Sequence, residues 1–142
     1  MIAPFAAALA ALAPWPASAT PPAEASPEAA TAVVRHYYAA VEARDYRAAW
    51  RLWHGRSTLA QLRAGYADTA HVRVTPLPPF VAEGAAGSVY CEVRVRVDAA
   101  LRDGRRQHYA GSFTLRRVND VDGATAAQRS WHIIGAKLRP VA

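Results

Sequence analysis

Between Pro27 and Trp53 the apolar positions fall into two helical stripes. Val34, Tyr37, Tyr38 and Val41 are spaced i, i+3, i+4, i+7, and Tyr46, Ala49, Trp50 and Trp53 repeat that spacing. Arg35, His36 and Glu42 lie off the first stripe, and Arg44, Arg47 and Arg51 off the second. The spacing predicts two consecutive helices, each with one face to bury. Ser26 suits the first N-cap, Pro27 the first helical position and Glu28 the positive helix end. Asp45 suits the second cap, and Gly55 is expected to end that helix in the left-handed conformation. A third helix is expected after Ser57 as its cap, with Leu59, Leu62 and Tyr66 on one face and Gly65 weakening its end.

The period then drops to two. Val72 and Val74 alternate with His71, Arg73 and Thr75, which predicts a strand. Pro76, Pro78 and Pro79 require that strand to end or to lie at a sheet edge. Phe80 to Ala82 resumes it, and Glu83 to Gly87 is expected to form a turn or bulge. Next comes the most regular strand. Val89, Cys91, Val93, Val95 and Val97 face one way, and Tyr90, Glu92, Arg94, Arg96 and Asp98 face the other.

Asp103-Gly104 marks a hairpin. A two-residue loop there sets Phe113 opposite Arg94 and mixes the faces. A three-residue loop, Arg102-Asp103-Gly104, pairs Val97 with Tyr109, Val95 with Gly111, Val93 with Phe113 and Cys91 with Leu115. Only the second register keeps one face apolar, so it is the one expected. A polar loop from Val118 to Gln128 leads to a last strand, Ser130 to Val141. There Trp131 and Ile133 alternate out of phase with Ile134, Ala136 and Leu138, and a bulge near Gly135 would bring both groups to the core. Helices followed by an antiparallel sheet define an α+β domain, with N-terminal helices packed against a curved sheet.

The opening of the chain belongs to neither pattern. Phe5 to Leu12 is a short apolar run and Ala17-Ser18-Ala19 has the small-x-small form of a cleavage site, so residues 1–19 read as a signal peptide. Residues 20–26 read as a Pro-rich linker and 27–142 as one domain, exported to the bacterial periplasm. After residue 20 no apolar run is long enough to cross a membrane. The 142 residues carry a formal charge of +6, which admits an anionic partner without specifying one. A single cysteine, Cys91, excludes an intrachain disulfide and reads as a buried, slowly reacting core residue.

Little catalytic chemistry is visible. The histidines, His36, His54, His71, His108 and His132, show no HxxxH or HxH spacing, so no metal is expected. No nucleophile elbow, phosphate loop or dinucleotide fingerprint occurs, and no cofactor is expected. His54 reads as a cation-capable residue at a helix C-terminus. Arg94, Arg96 and Arg116 fall on the wet face of the hairpin, which reads first as a solvated charged face, with a weak contact to an anionic surface as the alternative; with Tyr90 as the one aromatic interleaved there, the nucleic-acid signal is weak.

Three segments carry a resemblance. YYAAVEARDYRAAWRLW, LAQLRAGYADTAHVRV and the closing SWHIIGAKL, within the order of elements, resemble the nuclear transport factor 2-like superfamily over about Pro27 to Val141. The resemblance implies a cone: a bent sheet around a helical hairpin, often with a pocket at the open end. It implies no single function, because the superfamily holds isomerases, dehydratases, protein-binding modules and domains appended to cell-wall transpeptidases. The branch similar to ketosteroid isomerase uses a helix tyrosine and two pocket acids. Tyr37 or Tyr38 matches the tyrosine, Asp68 is the one acid near the place of a base, and the apolar sheet face offers no second acid.

Two readings follow. The first is an exported non-catalytic domain, similar to the transpeptidase-associated type, that binds a small molecule or an envelope protein. Tyr38, Trp50, Trp53 and Tyr66 would line its pocket, with the inner end of the cone filled by Tyr38, Trp50 and Trp53. The second is an isomerase or dehydratase working through Tyr38 and Asp68. A homodimer is compatible with either.

Overall fold

The computed structural model describes residues 24–55, 57–119 and 122–142. The signal-peptide reading of residues 1–19 lies outside them. Three helices, α1 (Pro27–Glu42), α2 (Tyr46–Arg51) and α3 (Leu59–Gly65), precede four strands, β1 (Thr69–Ala85), β2 (Ser88–Leu101), β3 (Arg106–Val118) and β4 (His132–Pro140). Among the described residues no helix is long and apolar enough to cross a membrane.

The caps explain where the helices begin. The Ser26 hydroxyl accepts from the Ala29 N–H at 3.1 Å, with Pro27 following at the first position. The Asp45 carboxylate accepts from the Ala48 N–H at 3.1 Å. The third cap is Thr58 rather than Ser57. Its hydroxyl accepts from Gln61 N–H while the Gln61 side chain accepts from Thr58 N–H, a reciprocal capping box. Gly55 does not end α2: the helix stops at Arg51, and the left-handed residue of this region is Arg44 (φ 60°), between α1 and α2. The chain after α2 is held instead by tertiary bonds to β4, Ile133 N–H to Leu52 O at 2.8 Å and His54 N–H to Ile133 O at 2.9 Å.

The strands form one antiparallel meander in the order β1-β2-β3-β4. The β2–β3 register is the one that keeps the face apolar: Val97 opposite Tyr109, Val95 opposite Gly111, Val93 opposite Phe113 and Cys91 opposite Leu115. β1 lies at the edge, as its prolines demand, and its pairing with β2 is interrupted between Leu77 and Val81. The turn into β2 is Ala86-Gly87, both with positive φ (44° and 82°). β4 carries its irregularity at Ile134, left over between the Thr114–Gly135 and Leu115–Ile133 pairs. That extra residue sets Ile133, Ala136 and Leu138 opposite core-facing positions of β3, but the expected burial of both groups does not follow: Trp131 and Ile133 are buried, whereas Ile134, Ala136 and Leu138 stay exposed, because no helix covers the far end of β4. β3 and β4 approach so closely at Gly111 that a Cβ there would collide with the Lys137 carbonyl oxygen.

The core lies between α1 and the inner sheet face. Ala30, Val34, Tyr37, Tyr38 and Val41 pack on Cys91, Val93, Val95, Val97, Phe113, Leu115 and Ile133, all buried. Glu42 ties the end of α1 to β1, accepting from Val72 N–H at 2.7 Å and meeting His71 Nδ1 at 2.8 Å.

Candidate functional site

The helices cover only part of the inner face of the sheet. Tyr37, Tyr38, Trp53 and Phe113 close the inner end, with ring centroids 5.0–6.3 Å apart and mostly edge-to-face. Beyond them a cavity of about 420 Å³ opens between α1, α3 and the sheet. Its apolar wall includes Leu62, Val72, Val97, Ala99 and Leu138, and its polar positions include Ser57, Gln61, Thr69, Gln107 and Tyr109.

Three phenols stand where the filled end meets the cavity. The Tyr37 and Tyr66 hydroxyls are hydrogen-bonded at 3.0 Å. The Tyr38 hydroxyl lies near that of Tyr66 without the geometry of a well-formed bond. Trp53 presents a buried Nε1–H toward Tyr37, again short of a well-formed bond. Burial pushes all three phenols above the ordinary tyrosine value; the neighbouring Tyr66 phenol raises Tyr37 and Tyr38 further. They therefore stay protonated at neutral pH, each keeping an O–H that can donate. Three hydroxyls carry three protons, and the Tyr37–Tyr66 bond uses one.

The structure brings Tyr38 and Tyr66 together at this cavity. Trp53 packs one layer deeper, against Tyr37 and Phe113. Trp50 does not line the cavity and does not help fill the cone. It is 39% exposed, and its indole N–H donates to Ser57 O at 3.0 Å. The reason is that α2 is a short helix that ends at Arg51, so Trp53 leaves the stripe and only Ala49 on α2 is fully buried. Asp68 is exposed and is not among the lining residues, although Thr69 beside it is. No Asp, Glu or His lines the cavity among the described residues, and none forms a cluster of three or more metal-ligating side chains.

Gln61 and Gln107 were not legible as site residues. Gln61 reads as a helix cap. Gln107 carried a usable signal: it is a polar residue in phase with Tyr109 and Phe113 on the apolar face, at the end where the sheet overhangs the helices. It accepts from the Tyr109 hydroxyl at 3.0 Å.

Helices followed by a bent antiparallel sheet, with a cavity at the open end, match several solved structures. The fold is the nuclear transport factor 2-like cone. A nuclear transport factor 2-like superfamily protein from Salmonella enterica serovar Typhimurium superposes with a TM-score of 0.56 at 12% identity, over 82% of this chain and 91% of that one. A protein from Novosphingobium aromaticivorans, proposed to be an aromatic ring hydroxylase, gives 0.60 at 15% identity, over 82% and 93%. A protein from Planctomyces limnophilus gives 0.56 at 13% identity, over 80% and 97%. At these identities the likeness is one of fold. No family model matches the chain, and no curated protein matches it in sequence.

Proposed function

We propose that this chain is an exported, non-catalytic binding domain, of the kind found beside cell-wall transpeptidases. Its cone pocket takes a small, flat, largely apolar molecule bearing one carbonyl or hydroxyl oxygen. The observation that carries this reading is the phenol cluster of Tyr37, Tyr38 and Tyr66 at the cavity, with no carboxylate or imidazole among the described lining residues. The cavity is of the size and composition of small-molecule sites, apolar walls with a few placed polar groups. Protonated phenols can hold a ligand oxygen. Proton abstraction needs a base within hydrogen-bond reach of the substrate as well. An aromatic ligand also agrees with the name given to the Novosphingobium protein.

The second reading, an isomerase or dehydratase using Tyr38 and Asp68, is favoured by one fact: Asp68 adjoins the lining residue Thr69. One experiment separates the two. The flat ketone 2-acetylnaphthalene should bind, seen by nuclear magnetic resonance titration, and Tyr38→Phe should weaken binding by up to about tenfold, the worth of one neutral hydrogen bond. Absence of binding, or binding unchanged in both Tyr38→Phe and Tyr66→Phe, would overturn the pocket. Protein-catalysed deuterium exchange at the ketone's methyl group, lost in Asp68→Asn, would establish the enzyme instead.

A further inference from the structure

The outer face of the sheet, opposite the helices, carries a pattern that the pocket does not use. Arg96 pairs across Ala110 with Arg139, and one row along, Arg94 pairs across Ser112 with Lys137. Direct cross-strand partners share a face, so these four cations surround a floor of two small side chains. Strand spacing and rise place them at the corners of a rectangle of roughly 10 by 7 Å. β2 supplies one side and β4 the other, from segments far apart in the chain.

Among the described residues no ion pair to any of the four is formed. Among the described residues, the side chains of Arg96, Lys137 and Arg139 make no ion pair or hydrogen bond, and Arg94 reaches only a carbonyl, that of Pro78 at 2.9 Å. The acids on this face flank the quartet: Asp98, hydrogen-bonded to His108 at 2.6 Å, lies one row beyond Arg96, and Glu92 one row beyond Arg94. Arg116 extends the positive band past Glu92, opposite His132, on which His54 is stacked at 3.6 Å. Arg116 itself is engaged, donating to Ser88 Oγ at 3.0 Å.

Like charges held this close at a surface are tolerated in water but gain nothing there. A partner whose negative charges repeat in two dimensions gains from all four at once. We propose that this face docks on an anionic phospholipid bilayer, with Arg94, Arg96, Lys137 and Arg139 set against headgroup phosphates. The broad exposed sheet surface suits a bilayer better than a buried ion, because there is no enclosed polar side chain to cage one. It also disfavours a second copy of the chain on this face, since two such quartets would repel. The helix side, where the cavity opens, would face away from the lipid.

The test is co-sedimentation of the full chain with phosphatidylglycerol/phosphatidylcholine vesicles. Binding is expected at low salt and should fall sharply by 0.5 M NaCl, where charges are screened within a few ångströms. Arg96→Gln, Lys137→Gln and Arg139→Gln combined should reduce partitioning by at least about tenfold, since each surface cation contributes several-fold on its own. The control triple variant, Arg47→Gln, Arg51→Gln and Arg63→Gln, removes the same charge from the helix side, leaving +3 from +6 in both variants. It should retain most of the binding. Equal losses in the two variants, equal binding to pure phosphatidylcholine, or no binding to the anionic vesicles would overturn the proposal. So would a dimer in sedimentation velocity that the sheet-face variant dissolves.

Discussion

The hydroxyl of Tyr37 on α1 meets that of Tyr66, the C-cap of α3, at 3.0 Å across 29 positions of sequence. The bond anchors a helix that has no fully buried residue of its own. Tyr37→Phe and Tyr66→Phe should each cost about 0.5–1.5 kcal/mol, and the double variant little more than either alone. Urea denaturation of the four forms of this cycle gives the coupling; strict additivity would show that the bond contributes nothing. Of the six tyrosines in the chain, these two and Tyr38 should resist ionisation at alkaline pH until the fold is lost. Absorbance at 295 nm against far-ultraviolet circular dichroism would reveal early titration if it occurred.

Acid should destabilise the fold in two stages. Burial, then His132 and Arg116, hold His54 below its ordinary value of 6.5. The His71 hydrogen bond and then the Val72 N–H hold the Glu42 carboxyl below its ordinary 4.5. In both cases the unfolded chain binds the proton first, so stability is full above the unfolded value and lost as pH falls through the folded one. A first decline is expected below about pH 6.5 and a second below about pH 4.5. His54→Gln should remove the first and Glu42→Gln the second. Thermal midpoints across pH 3–8 check this, and an unchanged profile in either variant would contradict its assignment.

The two neighbouring tryptophans should behave differently. Trp53 packs on Tyr37 and Phe113, so Trp53→Ala should cost about 3 kcal/mol or more. Trp50 is 39% exposed and keeps one hydrogen bond, so Trp50→Ala should cost clearly less. Equal losses of stability in chemical denaturation would mean that α2 packs otherwise than described.

Cys91 is 1% exposed in the β2 core face, and burial pushes its thiol up to about 11. Reaction with a thiol reagent at pH 8 should therefore be limited by opening of the sheet and should speed up with urea. Fast labelling of the native protein would contradict this.

The alternation of valines with charged residues in β2 determined the hairpin by itself, because a one-residue slip would send every valine to water. Helix starts were legible for the same local reason: Ser26 and Asp45 satisfy N–H groups three residues away. So was the need for a bulge in β4, since Ile133 and Leu138 are out of phase without one. What the sequence could not determine depends on where one element lies against another. Trp50 and Trp53 share a spacing, yet the early end of α2 and the β4 bonds to Leu52 and His54 turn one outward and the other in. Asp68 and Thr69 are neighbours, but only Thr69 reaches the cavity wall. Tyr37 meets Tyr66, and Arg96 faces Arg139 across Ala110, only once α3 and β4 have docked. These pairings bring together groups far apart in the chain, and their free energy comes from packing that no local period encodes.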